Sequence, residues 1–336
     1  MPEPCILALS ECRELGAAVA ASAGVELGRV EERRFEGGEF KLRPLQSVRG
    51  RTVFLVQALA GSDEMPTSER FVRLLFLLNG LRDAGARERI ALVPYLAFAR
   101  KDRRTQLRDP VNTRYVAQLL EASGADRVMA LDVHNPAALD NSFRIPVDHL
   151  SALPMMADHF ARAVSGTELT VLSPDVGGIK RAQIFRELLQ RRAGREVELA
   201  FIEKRRAQDV VSGGALVGQT SGREVIVIDD LCATGGTLLR AAAACRRSGV
   251  RAVHVAVTHA PLPSGVAALT EAASITSVVL TDSVGLQSPR MPAASGAAAR
   301  IVTLPVAPLF GQAVRRMLAG KPLAPLLERW PVAFEE

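Results

Sequence analysis

The chain has 336 residues, 48% hydrophobic and 23% charged, which is enough for two globular domains, each with its own core. No apolar run reaches the roughly 18 residues of a membrane helix, and no basic stretch followed by an apolar one opens the chain, so a cytoplasmic protein with no membrane partner is expected. The net charge of +6 asks for an anionic partner, but with 4% aromatic residues there is little to stack nucleic-acid bases on, and the cations gather at 100–108 and 204–206, as suits a polyphosphate.

In chain order, short runs rich in Val, Ile and Leu alternate with amphipathic stretches, the signature of parallel α/β sheets. Strands are expected at 5–9, 52–57, 90–94, 127–131, 170–173, 197–202, 224–229, 252–258, 277–281 and 301–304, and helices at 68–83, 112–123, 177–192 and 237–248. One pattern occurs twice. Gly50-Arg51-Thr-Val-Phe-Leu-Val-Gln57 runs into a helix, then Ala84-Gly85-Ala-Arg87 and a strand ending Val93-Pro94-Tyr95. Gly222-Arg223-Glu-Val-Ile-Val-Ile-Asp229 likewise runs into a helix, then Ser248-Gly249-Val-Arg251 and a strand ending Val257-Thr258-His259. Two sheet domains from one duplicated ancestor would carry this pattern, with a boundary near 146–150. Residues 291–299, MPAASGAAA, read as a surface loop. Cys5, Cys12, Cys232 and Cys245 form no CxxC pair and read as reduced, mostly buried thiols; Cys232, inside a candidate site loop, is the one expected to be oxidant-sensitive.

The strongest local signal is VIVIDDLCATGGT at 225–237. A buried strand ends in Asp229 and Asp230, passes a loop of Ala233, Thr234 and Gly235, and opens a helix at Gly236 and Thr237. Ligands of parallel sheets bind at the carboxyl ends of strands, glycine lets the backbone approach a phosphate, and two carboxylates can accept from vicinal sugar hydroxyls.

This segment resembles the phosphoribosyl-binding loop of type I phosphoribosyltransferases and of ribose-phosphate pyrophosphokinases (phosphoribosyl pyrophosphate synthetases), although Ala233 stands where the synthetases usually have Asp. Four more segments resemble the synthetases in particular. Phe35-Glu-Gly-Gly38-Glu39 followed by Val48-Arg49-Gly50 is similar to their adenine-contacting loop, and PYLAFARKDRR at 94–104 to their ATP-binding segment. Asp132-Val-His134 and Ser173-Pro-Asp175-Val-Gly177-Gly178 resemble their metal-binding stretches, and Ile202-Glu-Lys204-Arg205-Arg206 their catalytic loop. Order and spacing hold from about residue 5 to residue 328. Gly37 and Lys101 replace an acidic or amide residue and a Gln, and the stretch from Asn135 to Phe143 differs from the family pattern.

The resemblance implies two similar type I phosphoribosyltransferase-like domains, 1–148 and 149–336, each a mostly parallel sheet flanked by helices, with the last helix packing on the N-terminal one. It implies a Mg²⁺-dependent ribose-phosphate diphosphokinase, in which the C1 hydroxyl of ribose 5-phosphate attacks the β-phosphorus of ATP and AMP leaves. ATP would meet Phe35, Glu39, Arg100, Lys101, Asp102, Arg103, Arg104 and His134, the first two reaching in from a neighbouring subunit of a dimer-based homo-oligomer, a hexamer in the family. Ribose 5-phosphate would meet Asp229, Asp230, Ala233, Thr234, Gly235, Gly236 and Thr237, and Mg²⁺ would meet His134 and Asp175. Lys204 and Arg206 would stabilise charge developing in the transition state. Two other readings stay open: a nucleobase phosphoribosyltransferase, and a catalytically silent regulatory homologue.

Overall fold

The computed structural model describes residues 3–164, 166–203, 206–207, 210–211, 215–284 and 299–328. In chain order the elements are β1 (Cys5–Ala8), α1 (Arg13–Ala23), β2 (Glu26–Leu27), β3 (Val30–Arg34), β4 (Phe40–Pro44), β5 (Thr52–Val56), α2 (Thr67–Asp83), β6 (Glu88–Val93), α3 (Asn112–Ala122), β7 (Arg127–Leu131), α4 (Pro136–Ser142) and β8 (Val147–Leu150). There follow α5 (Leu153–Ala163), β9 (Leu169–Ser173), α6 (Ile179–Ala193), β10 (Val197–Glu203), β11 (Arg206–Ala207), β12 (Val210–Val211), β13 (Ala215–Val217), β14 (Glu224–Leu231), α7 (Gly236–Arg247), β15 (Ala252–His259), α8 (Pro263–Glu271), β16 (Ser277–Thr281), β17 (Arg300–Leu304), α9 (Ala307–Leu318) and α10 (Pro325–Glu328).

The chain forms two compact units. The first holds residues up to Leu150 and takes back α9, which packs on α1. Its sheet is parallel throughout, in the order β2-β1-β5-β6-β7-β8, with the antiparallel hairpin β3–β4 beside it. Helices cover both faces, so β5, Thr-Val-Phe-Leu-Val, is buried at every residue and reads as an unbroken apolar run. On α2 the buried Leu74, Leu77, Leu78 and Leu81 recur at helical spacing and pack into the same core as Leu7, Val53, Leu55 and Val93.

The second unit has the order β13-β10-β9-β14-β15-β16-β17, parallel except for the edge strand β13. Without that edge, the order repeats that of the first unit. The duplicated pattern extends to individual hydrogen bonds. Gly50 N–H donates to the Gly85 carbonyl at 2.8 Å and Arg87 N–H to that of Arg51 at 2.9 Å; Gly222 N–H donates to Gly249 at 2.9 Å and Arg251 N–H to Arg223 at 2.8 Å. All four glycines have positive φ, between 73° and 79°.

One expectation changes. The helix expected from 177 starts at Ile179, because Asp175 accepts from Gly178 N–H and first folds Val176–Gly178 into a 3₁₀ turn. The loop expected at 291–299 lies, except for Ala299, outside the described residues. Among the described residues, no helix is long and apolar enough to cross a membrane.

Candidate active site

In the second unit, β14 carries the fully buried Val225–Ile228 to its carboxyl edge, where Asp229 and Asp230 follow. Arg181 reaches them from the first turn of α6. Its Nη1 donates to Asp229 Oδ1 at 3.0 Å and lies 3.1 Å from Asp230 Oδ1. Asp229 Oδ1 also accepts the Asp230 backbone N–H at 2.9 Å. Burial first, and the neighbouring Asp230 carboxylate second, push Asp229 up to about 7; Arg181 works in the opposite direction.

The chain then turns through 232–235. Cys232 N–H donates to the His259 carbonyl at 2.8 Å, and Gly235, at φ 77°, leads into α7. The N-cap residue, Gly235, offers no side-chain cap to that helix, and a helix start of this kind suits an anion. Behind the loop lies Gly265, in the first turn of α8. A Cβ there would sit 2.0 Å from the Ala233 carbonyl oxygen, so only glycine fits. All four cysteines are free and buried, as their pattern implied. The expectation that Cys232 is oxidant-sensitive is corrected: it is 2% exposed, and burial pushes its thiol up to about 11, leaving little reactive thiolate at neutral pH.

In the first unit, β6 ends at Val93 and the basic segment follows as a loop. Thr113, buried at the start of α3, fastens it from below: Oγ1 donates to the Ala99 carbonyl at 3.2 Å and N–H to that of Lys101 at 3.3 Å. Asp109 organises the far side, accepting from Thr105 N–H at 2.9 Å, Thr105 Oγ1 at 2.7 Å, Gln106 N–H at 2.9 Å and Lys101 Nζ. The Lys101 contact is the largest cause holding the Asp109 carboxyl far below its usual range. Lys101 thus spends its charge inside the loop, whereas Arg100, Arg103 and Arg104 are exposed. Asp102 Oδ2 accepts from Asn135 Nδ2 at 2.6 Å, and Asn135 Oδ1 in turn caps α4 by accepting Ala138 N–H at 3.2 Å. The structure therefore joins the basic loop to the stretch that carries the exposed His134. Among the described residues, the non-glycine positive-φ positions are Phe98 (63°), Arg108 (67°) and Asp132 (37°), all in these two segments. Strained backbone of this kind gathers at functional sites.

Phe35 and Glu39 lie together at the turn of the β3–β4 hairpin, where Phe35 N–H donates to the Glu39 carbonyl at 2.7 Å. Both side chains are exposed, and the Arg33 guanidinium lies 4.9 Å from the centre of the Phe35 ring. The hairpin is tied down by the buried Arg73 of α2, which pairs with Glu32 and, at 3.5 Å, with Glu11. Lys204 lies outside the described residues, and Arg206 is described only as the first residue of β11.

Among the described residues, no three His, Cys, Asp or Glu side chains gather as a cage for a metal ion. Asp175 is half-buried, with Oδ1 accepting Gly178 N–H at 3.2 Å, and offers the hard oxygen that Mg²⁺ prefers.

Sequence reading missed Arg181, Asn135 and Gly265. For Arg181 a signal existed: a cation in the first turn of a helix opposes the macrodipole and calls for an acidic partner.

Residues 4–124 match the model of the N-terminal domain of ribose phosphate pyrophosphokinase, and residues 153–289 that of the phosphoribosyl transferase domain. Ribose-phosphate pyrophosphokinase 1 of Streptococcus pyogenes serotype M1 is 32% identical over 327 residues, 96% of this chain and 97% of the relative. Ribose-phosphate pyrophosphokinase 2 of Enterococcus faecalis is 32% identical over 325 residues, 96% of this chain and 95% of the relative. The crystal structure of phosphoribosylpyrophosphate synthetase from Mycobacterium smegmatis superposes with a TM-score of 0.82 at 28% identity, covering 95% of this chain and 100% of that one.

Proposed function

We infer that this chain, which belongs to the ribose-phosphate pyrophosphokinase family, is a ribose-phosphate diphosphokinase that converts ATP and ribose 5-phosphate to 5-phospho-α-D-ribose 1-diphosphate and AMP. The C1 hydroxyl oxygen forms a bond to the β-phosphorus, the bond from that phosphorus to the α-phosphate oxygen breaks, and the hydroxyl proton is released. The observation that carries this reading is the carboxylate pair Asp229 and Asp230 at the end of β14, joined by the turn at 232–235 to the start of α7, which has no side-chain cap from Gly235. The pair suits the vicinal ribose hydroxyls, and the turn from Ala233 to Thr237 suits the 5-phosphate.

In this reading, Arg100, Arg103 and Arg104 contact ATP as guanidinium forks, and Lys101 and Asp102 hold their loop in shape. Phe35 lies against adenine and Glu39 accepts from its amino group, across the interface of a homo-oligomer. His134 and Asp175 are each a candidate ligand of Mg²⁺, an ion that would supply neutralisation of phosphate charge. Lys204 and Arg206 meet charge that develops on the transferred group.

The test is AMP release from Mg-ATP and ribose 5-phosphate with no nucleobase present. Release that depends on both substrates supports the reading. No release, together with base-dependent consumption of 5-phosphoribosyl diphosphate, would turn it toward a phosphoribosyltransferase.

A further inference from the structure

We propose that Arg181 is a positioning residue for the ribose site, holding Asp229 and Asp230 as one acceptor surface for the vicinal hydroxyls of ribose 5-phosphate. This rests on the reading of 229–237 as the ribose 5-phosphate loop. The geometry is specific: one nitrogen, Nη1, lies 3.0 Å from Asp229 Oδ1 and 3.1 Å from Asp230 Oδ1. Arg181 comes from a different element, α6, whose buried Ala182, Phe185, Leu188 and Leu189 fix the helix in the second unit. The guanidinium side chain is 18% exposed and those of the aspartates 21% and 7%, so the bridge is largely shielded from water.

The chemistry explains why the pair needs a bridge. Two adjacent carboxylates repel, and a poorly hydrated pair relieves the repulsion by keeping a proton. A protonated carboxyl donates where a sugar hydroxyl must also donate, so the acceptor surface is lost. The groups facing Asp229 are Asp230 on its own strand, Cys232 just beyond it, and Arg181 from α6; the first two disfavour its ionised form or are disfavoured by it, and Arg181 is the counterweight. Arg181 and the Asp230 backbone N–H both address Oδ1 of Asp229, which fixes the orientation of that carboxylate. Arg181 need not touch the sugar at any point.

A purely structural tie between α6 and β14 would affect both substrates alike; a positioning residue would not. The experiment measures kcat and KM for ATP and for ribose 5-phosphate in the wild type, Arg181→Ala and Arg181→Lys, with calorimetric binding of ribose 5-phosphate and of 2-deoxyribose 5-phosphate, which lacks one hydroxyl of the pair. In Arg181→Ala the KM for ribose 5-phosphate should rise roughly ten- to a hundredfold, the loss of a hydrogen bond to a charged group, with the KM for ATP nearly unchanged. The binding penalty should be several-fold smaller for the deoxy sugar, the acid limb of kcat/KM for ribose 5-phosphate should move to higher pH, and Arg181→Lys should recover part of the loss. Equal penalties for the two sugars, or an unchanged KM for ribose 5-phosphate, would overturn the proposal while leaving the enzyme's function standing. A wild-type protein that binds neither sugar would overturn both. If Arg181→Ala fails to fold, Arg181→Gln carries the same comparison.

Discussion

Asn135 donates its side-chain amide to Asp102 at 2.6 Å, so the basic loop and the stretch ending at His134 form one hydrogen-bonded assembly within the first unit. The same side chain caps α4. Asn135→Ala should therefore cost about 1 kcal/mol of stability, as lost caps do, and raise the KM for ATP while leaving that for ribose 5-phosphate unchanged. Asn135→Asp keeps the cap but sets a carboxylate against Asp102, and should weaken ATP binding further. Thermal melting and the two KM values check both variants.

Gly265→Ala tests the packing behind the phosphate loop. The added Cβ meets backbone, the Ala233 carbonyl at 2.0 Å, which cannot swing aside as a flexible side chain would. The loop must shift, and overpacking of this kind costs about 1–3 kcal/mol. Ribose 5-phosphate affinity should fall by at least tenfold with a smaller effect on ATP. A variant that melts and binds like the wild type would show that the loop has slack.

The carboxyl of Asp229 gives a pH prediction with a definite sign. Its folded value, about 7, lies above the unfolded one, so the folded state holds a proton that the unfolded state loses. This group therefore lowers stability as pH climbs from about 4 to about 7, and changes nothing above that. Ribose 5-phosphate needs the ionised form, so kcat/KM for the sugar should rise across neutrality even as stability falls. Asp229→Asn should remove both trends, melting higher than the wild type at pH 8 yet barely binding the sugar. Melting curves and sugar titrations at pH 6, 7 and 8 decide it.

Lys204→Ala should lower kcat by orders of magnitude with a small change in the KM for ATP, because a cation that meets developing charge matters most in the transition state. Activity should vanish with a chelator and return with Mg²⁺. A Lys204→Ala enzyme with near-normal turnover would remove the residue from the mechanism.

Most strands of the two sheets were legible because helices bury both of their faces, which leaves apolar runs such as β5 and the first half of β14, whereas the edge strands β2, β8 and β13 were missed. The candidate ribose loop was legible because its Asp, Gly and Thr residues stand on a single turn, where composition alone carries the chemistry. Arg181 was not: its partner Asp229 is 48 residues away, and nothing local marks the pairing except a cation at the wrong end of a helix. Gly265 serves a carbonyl 32 residues before it in the chain, and Asn135 an aspartate 33 before it. Short elements also escaped. The hairpin β3–β4 is five residues a side and mostly charged, and α1 is so rich in alanine that its apolar stripe is faint.

The duplicated pattern sets Gln57 where the second copy has Asp229, both seven residues after the glycine that opens the repeat. Gln57 is wholly buried; its amide donates to Glu11 at 3.3 Å, and the next residue, Ala58, donates its N–H to Cys12 Sγ at 3.1 Å. The strand end proposed to meet the sugar in one copy is sealed with the chain's own side chains in the other. Two related positions thus answer to different selective pressures. A library of substitutions at 229 will sort by turnover while abundance holds, whereas the same library at 57 will sort by how much protein survives in the cell, Gln57→Glu faring worst because it buries an acid beside Glu11.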